Sequence, residues 1–330
     1  MNTLRKGLRI PPVAASWAEI EQEEADQRID NYLIRRLKGV PKSHVYRLLR
    51  TGQVRVNSRR IDATYRLQTG DRVRLPPVRM SAPPQRPHQR SAGPAEARLS
   101  PFTLLEDDAL LVIDKPAGVA AHGGSGISRG VIEQLRAERP ELRFLELVHR
   151  LDRDTSGVLL LAKKRSALTG LHAQIRAGTM KKSYLVLVRG PWSNAKQHVR
   201  LPLDKYVTAE GERRVSVSDA GLPAHTVFRR LRSYQGYTLL EAELLTGRTH
   251  QIRVHLAHLG FPIVGDDKYG DFALNKDLQR AGLKRMFLHA ARVEFRHPST
   301  DETTKVEAPL APALAAFLES LEERGSVAAG

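Results

Sequence analysis

The chain has 330 residues, enough for one large domain and one small domain. Its net charge of +17 indicates a polyanionic partner, with nucleic acid favoured over an anionic membrane surface. The sequence contains no cysteine, which excludes disulfides and cysteine-based zinc sites, and no apolar run approaches the roughly 18 residues that span a bilayer.

The first segment, residues 1–24, is predicted to be a flexible leader. Its start, MNTLRKGLRIPPV, is basic but lacks the apolar stretch of a secretory signal. Most of the segment shows neither helical nor strand periodicity.

Residues 25–77 are predicted to form a small basic module of two helices and a β unit. The first helix should start near residue 25, and its apolar face carries Ile29, Leu33 and Leu37. The second should start at Ser43, which is a good N-cap residue. The two short strands that follow are expected at 54–56 and 73–75.

This arrangement, with the stretch RLLRTGQVRVN between the helices and the β unit, resembles the S4 RNA-binding domain. The alternative is a solvated charged face on a small α/β module, and the RNA-acting motifs described below favour RNA binding. The arginines assigned to RNA on this resemblance are Arg47, Arg50 and Arg55.

Residues 78–100 are predicted to be a linker. The segment is rich in proline and arginine and has no apolar face to bury. Such a composition favours a semi-extended, positively charged chain.

Residues 101–324 are predicted to form the large domain, followed by a disordered tail at 325–330. Many short strands, few long helices and no βαβ alternation indicate an α+β fold with a mixed, largely antiparallel sheet. The strands are expected at 110–113, 144–148, 158–161, 181–190 and twice within 226–245. The helices are expected at 131–138, from Ser166 to Gly178, from Thr249 to Gly260 and at 311–323.

The stretch HRLDRDTSG, residues 149–157, is a charged loop between two apolar, β-prone flanks. Because desolvating so many charges is costly, such a loop lies at an open surface or a functional site. On composition alone, a surface hairpin with solvated Arg–Asp pairs is an equal alternative.

Four stretches together resemble the RluA-type pseudouridine synthases, which isomerise uridine in RNA. They are KPAG (115–118), HRLDRDTSG, KKSYLVLVRG (181–190) and GRTHQIRVHLAHLG (247–260). The resemblance implies that Asp152 is catalytic, that Tyr184 is the active-site tyrosine and that Arg253 pairs with the aspartate. It implies a pseudouridine synthase fold with a central cleft, and neither cofactor nor metal.

The same resemblance suggests three RNA contacts. Arg150 would fill the gap left by a flipped base, and Arg248 and Lys115 are weaker candidates at the edge of the site. With its S4 domain, the chain looks closest to the RluC type, whose members modify uridines of bacterial 23S rRNA. A cytoplasmic monomer with an RNA partner and no membrane contact is expected.

The chemistry can also be argued from the residues. A carboxylate can attack an anomeric carbon or act as a base, and a nearby arginine favours its ionised form and fixes its orientation. A base inside a duplex must be flipped out before it can react, and an aromatic face then holds it. The sequence leaves open whether Asp152 would add to C1′ or remove a 2′ proton through a glycal.

Three other interpretations compete. An aspartate-dependent hydrolase would use Asp152 and Asp154 as its carboxylate pair, and a silent core would leave a ribosome-assembly RNA binder. A pseudouridine synthase acting on tRNA or another RNA is also open. A zinc site at His250, His255 and His258 is disfavoured, because only the last two share a helical face and the HExxH pattern is absent.

Overall fold

The computed structural model describes residues 15–21, 24–37, 39–77, 98–123 and 129–327, with the backbone alone for 324–327. The chain divides into two compact units, residues 1–96 and 97–330. Most of the predicted linker, most of the leader and the Gly124–Gly126 part of the glycine-rich loop lie outside the described residues. Within the described part of the chain, no helix has the length and apolar character needed to cross a bilayer.

The first unit is a three-stranded antiparallel sheet packed on two helices. Its elements are β1 (Ser16–Glu19), α1 (Ile29–Arg36), α2 (Lys42–Arg50), β2 (Arg55–Val56) and β3 (Arg72–Leu75), with strand order β1-β3-β2. Both helices bury an apolar face against the sheet, as the four-residue repeat predicts.

Three expectations for this unit are wrong in detail. The strand β1 lies within the predicted leader, where Ala18 and Ile20 are buried in the core. The helix α1 starts at Ile29 because the backbone just before it bonds to residues 65–67. Ser43 lies inside α2, whose N-cap is Pro41.

The second unit contains twelve strands and five α-helices among its described residues. In chain order they are β4 (Thr103–Glu106), β5 (Leu110–Lys115), α3 (Val131–Glu138), β6 (Glu146–Leu147), β7 (Ser156–Ala162), α4 (Arg165–Ala177), β8 (Lys181–Arg189), β9 (Lys196–Val199), β10 (Leu203–Val207), β11 (Arg213–Val217), β12 (Thr226–Tyr234), β13 (Tyr237–Leu244), α5 (Gln251–His258), α6 (Phe272–Arg280), β14 (Leu288–Arg296), β15 (Thr303–Glu307) and α7 (Pro312–Val327).

A ten-stranded sheet organises this unit. Its path is β4-β5-β7-β14-β8-β13-β12-β9, with β15 added on β14 and β6 on β7. The pair β7–β14 is parallel, and the other pairs of this sheet are antiparallel. The predicted mixed, largely antiparallel sheet is therefore confirmed. The strands β10 and β11 form a separate hairpin.

Both faces of the central strands are buried. On β7, Leu159 and Leu161 pack into a core shared with α3 and α5, whereas Val158 and Leu160 pack into a core shared with α4. Since successive side chains alternate across a strand, helices on both faces explain why this strand is apolar throughout.

The ends of the large unit differ from the predicted boundaries. Leu99 is buried in the main core, and the Glu138 carboxylate accepts hydrogen bonds from the backbone N–H groups of Leu99 and Ser100. The unit therefore begins before residue 101. At the other end, α7 continues to Val327, into the tail predicted to be disordered.

Candidate active site

The loop between β6 and β7 carries Asp152 and is fixed to its neighbours by backbone contacts. Gly118 N–H donates to the Arg153 carbonyl at 2.9 Å, and Thr155 N–H donates to the Asp152 carbonyl at 3.2 Å. Gly157, where β7 meets β14, has φ +109°, and a Cβ there would lie 2.2 Å from the Ala290 carbonyl oxygen. Only glycine fits this close approach.

Lys115 supports the loop from inside the protein. Its side chain is fully buried, and its Nζ donates to the carbonyls of Pro116, Val119 and Arg153 at 2.8, 2.7 and 3.0 Å. Burial lowers its pKa to about 7. The predicted RNA contact is wrong for this residue, because no part of its side chain reaches the surface.

A second buried contact holds the other end of the loop. Arg285 Nη2 donates to Ser156 Oγ at 2.7 Å, and Ser156 Oγ lies 2.8 Å from His289 Nδ1. The other ring nitrogen of His289 faces the Ala308 carbonyl at 3.4 Å, so the serine hydroxyl donates to Nδ1. The loop that presents Asp152 is thus attached to β14 as well as to β5.

Asp152 faces Arg253, as the resemblance implies. Arg253 Nη1 lies 3.3 Å from Asp152 Oδ2, and its Nε and Nη2 each donate to Asp266 at 2.7 Å. Burial acts to lower the pKa of Arg253, but the Asp266 and Asp152 carboxylates outweigh it and raise that pKa. Burial acts to raise the pKa of Asp266, but Arg253 and backbone N–H groups lower it instead. Both partners therefore stay charged.

Tyr184, on β8, lies in the wall of the same cavity. Its side chain is buried, and burial together with the Asp152 charge raises the pKa of its phenol above the ordinary value. The tyrosine therefore presents an aromatic ring and a protonated hydroxyl beside the aspartate.

The cavity between these groups has a volume of about 360 Å³, within the range of small-molecule sites. Asp152, Arg253 and Tyr184 line it, as do the predicted RNA contacts Arg150 and Arg248. Both of these arginines are exposed, and Arg248 Nε donates to the Pro223 carbonyl at 3.1 Å.

A second cavity of about 510 Å³ is also lined by Asp152. Arg153, Arg213 and Lys268 are among its cationic lining residues. Asp154 lines this cavity but not the one with Tyr184, and its carboxylate pairs with Arg153 at 3.2 Å. The two carboxylates of the hydrolase interpretation therefore both line this second cavity, but only that of Asp152 also lines the cavity with Tyr184.

The remaining predicted RNA contacts belong to the first unit, and the disfavoured zinc candidate His255 belongs to the second. Arg47, Arg50 and Arg55 are exposed on the first unit, where Arg55 Nε donates to the Gly52 carbonyl at 3.2 Å. His255 is buried between Thr226 Oγ1 and the Leu201 carbonyl, at 2.9 and 3.0 Å.

The sequence analysis did not anticipate four residues around the site. Asp266 and Tyr269 lie in the stretch GDDKYG, which follows the GRTHQIRVH motif closely in sequence. Its two acidic residues were a sequence signal for a partner of Arg253. Lys182, two positions before Tyr184 on β8, lines the same cavity, and so does His250. The alternation of a strand could have placed Lys182 and Tyr184 on one face.

Aspartate, arginine and tyrosine around one cavity on a mixed sheet, in a chain that also contains a small basic unit, define an RNA-modifying enzyme. Residues 109–258 match the RNA pseudouridylate synthase family, and residues 27–73 match the S4 domain. The relative named ribosomal large subunit pseudouridine synthase C from Pasteurella multocida is 50% identical over 98% of this chain and 98% of its own length. The protein of that name from Escherichia coli K12 is 52% identical over 92% of this chain and 95% of its own length.

The chain belongs to the RNA pseudouridylate synthase family and carries an S4 domain ahead of the catalytic domain. It is a pseudouridine synthase, which converts uridine in RNA to pseudouridine. The S4 and enzyme-class predictions are confirmed. In the solved structure of human RNA pseudouridylate synthase domain containing 4, the matching fold has a TM-score of 0.56 at 24% identity, over 68% of this chain and 94% of that one. This likeness confirms the predicted fold.

Proposed function

We propose that the protein isomerises uridines of large-subunit ribosomal RNA, 23S rRNA in bacteria, with Asp152 as the catalytic group. One observation carries the assignment of Asp152: its carboxylate lies 3.3 Å from Arg253 and lines one cavity with the Tyr184 ring. The names of relatives at 50–52% identity support the choice of RNA.

In the proposed reaction the target nucleotide leaves its stack and its base lies against Tyr184. Asp152 either adds to C1′ or removes a 2′ proton, and the N1–C1′ bond breaks. The base turns while bound, and a C5–C1′ bond forms as the Asp152–C1′ bond breaks or as the 2′ proton returns to C2′. The C5 proton then leaves and N1 gains a proton. Arg253 keeps the carboxylate oriented through these steps.

The RNA contacts are proposed from exposure and charge. Arg150 and Arg248 are exposed at the cavity that holds Asp152, and Arg150 would replace the flipped base in its stack. The S4 arginines Arg47, Arg50 and Arg55 would add phosphate contacts on the first unit. The proposed rRNA substrate implies that the protein acts in the cytoplasm, and a monomeric state stays a prediction.

The test is a pseudouridine map of 23S rRNA by carbodiimide modification and primer extension. Cells that lack the protein would be compared with the same cells carrying wild type or Asp152→Ala. Signals lost without the protein and restored by wild type alone would support both the substrate and the role of Asp152. An unchanged 23S map would refute the substrate and direct the mapping to tRNA.

A second experiment addresses the first unit. Deletion of residues 1–96 removes the S4 domain at the boundary between the two compact units. We expect weaker rRNA binding with a shallower salt dependence, and an unchanged set of modified uridines. New or missing sites would instead assign site selection to the S4 domain.

A further inference from the structure

His250 lies where both cavities meet Asp152. It lines each of them, and its Nε2 is 3.9 Å from Asp152 Oδ1. It is also the N-cap of α5, with a left-handed backbone at φ +53°. A residue other than glycine in this conformation is strained, and surrounding contacts must hold it there.

Those contacts define which ring nitrogen carries the proton. His250 Nδ1 lies 2.8 Å from the Tyr269 hydroxyl oxygen, which also accepts the Val215 N–H at 3.0 Å. Burial raises the pKa of Tyr269 to about 12, so its hydroxyl keeps its proton. If that hydroxyl donates to Nδ1, all three groups are satisfied, and the imidazole proton must be on Nε2.

The charges around His250 are consistent with a neutral ring. Burial lowers its pKa; the Asp152 and Asp266 carboxylates oppose that effect, and Arg253 and Lys268 reinforce it. The ring also packs edge-on against Tyr269, with centroids 5.5 Å apart. It therefore presents a fixed, uncharged N–H toward the carboxylate.

We propose that His250 is a positioning residue for Asp152, which directs its Nε2–H at Oδ1 while Arg253 holds Oδ2. This inference rests on the proposed role of Asp152. The two donors would hold the carboxylate at both oxygens, and a movement of about 1 Å brings Nε2 within hydrogen-bond distance of Oδ1. A neutral donor orients Oδ1 without adding a second cation, which would reduce the nucleophilicity and basicity of the carboxylate.

Two variants test the proposal through kcat and KM on transcribed large-subunit rRNA. His250→Asn suits the left-handed backbone but is too short to reach Asp152, whereas His250→Gln can place an amide N–H near the position of Nε2. We expect His250→Asn to lower kcat about 10²-fold and to leave KM within about twofold of wild type. The kcat of His250→Gln should be at least about tenfold higher than that of His250→Asn. Equal kcat values for His250→Asn and wild type would overturn the proposal.

The tautomer gives a readout that does not depend on activity. In protein labelled with ¹⁵N-histidine, the His250 signals, identified by their loss in His250→Gln, should show a protonated Nε2 and an unprotonated Nδ1. Tyr269→Phe should convert them to a mixture of tautomers and lower kcat. A proton on Nδ1 in the wild type would refute the assignment. If wild type does not turn over the transcript, the proposed rRNA substrate is wrong. The tautomer measurement then still tests the orientation proposed for His250, because it does not depend on activity.

Discussion

Asp152 and Asp266 share one guanidinium unequally. Asp266 takes two hydrogen bonds of 2.7 Å from Arg253, and Asp152 takes one contact of 3.3 Å. The Asp266 carboxylate is almost completely buried, whereas that of Asp152 is 22% exposed. The tight pair fixes the arginine, and the looser contact leaves the proposed catalytic carboxylate accessible to substrate.

Asp266→Asn should therefore lower both stability and activity. It leaves the buried Arg253 with a neutral partner, which should cost about 3 kcal/mol of unfolding free energy. Urea denaturation and rRNA turnover would measure the two effects. The control is Asp267→Asn, at a carboxylate that is 73% exposed and 3.5 Å from Arg253, where a loss below about 0.5 kcal/mol is expected. Equal losses for the two variants would contradict the unequal roles.

Lys115→Met should reduce kcat by about tenfold or more, because the loop carrying Asp152 loses its buried support. RNA affinity should stay within about twofold of wild type, since the replaced side chain does not reach the surface. Filter binding and single-turnover kinetics separate the two quantities. A large loss of RNA affinity with a normal single-turnover rate would instead support the RNA contact that the sequence predicts for Lys115.

The same residue gives a pH dependence of stability. The pKa of Lys115 is about 7 in the folded protein, against 10.5 for an ordinary lysine. Between these values the unfolded chain binds more protons, so the contribution of Lys115 to the unfolding free energy rises with pH above about 7. The unfolding free energy of wild type minus that of Lys115→Met, measured as a function of pH, should show this rise. A flat difference between pH 7 and 10 would exclude the lowered pKa.

The resemblance of the motifs pointed to Asp152, Tyr184 and Arg253, and the structure brings these three residues to one cavity. The sequence could not show that Lys115 is buried, since that depends on three carbonyls brought together by the β5 and β6–β7 loops. Likewise, the sequence predicts a leader where β1 lies, because the four residues SWAE form a strand only by pairing with β3. The strands that were not predicted, such as β9 (KQHV) and β11 (RRVSV), are short and polar, and sheet pairing outweighs their local preference.

Tyr184 should act through its ring and its protonated hydroxyl together. Tyr184→Phe keeps the ring, so KM should change by less than about twofold, while kcat falls about 10²-fold if the hydroxyl assists loss of the C5 proton. Tyr184→Ala removes the aromatic wall and should raise KM as well. Because burial raises the pKa of this phenol, wild-type activity should show no phenolate titration up to pH 9. Full activity in Tyr184→Phe would limit the residue to stacking.

Lys182 should contribute one ionic contact to RNA from inside the cavity. Its Nζ has no hydrogen bond or ion pair with the residues that the structure describes, and burial lowers its pKa. An RNA phosphate would supply the missing anion, so Lys182→Gln should weaken binding and reduce the slope of log affinity against log salt by about 1. Lys181→Gln is the matched control, because this exposed neighbour is paired with Glu294 at 2.6 Å and should leave the slope unchanged. An equal change of slope in both variants would contradict a specific contact between Lys182 and an RNA phosphate.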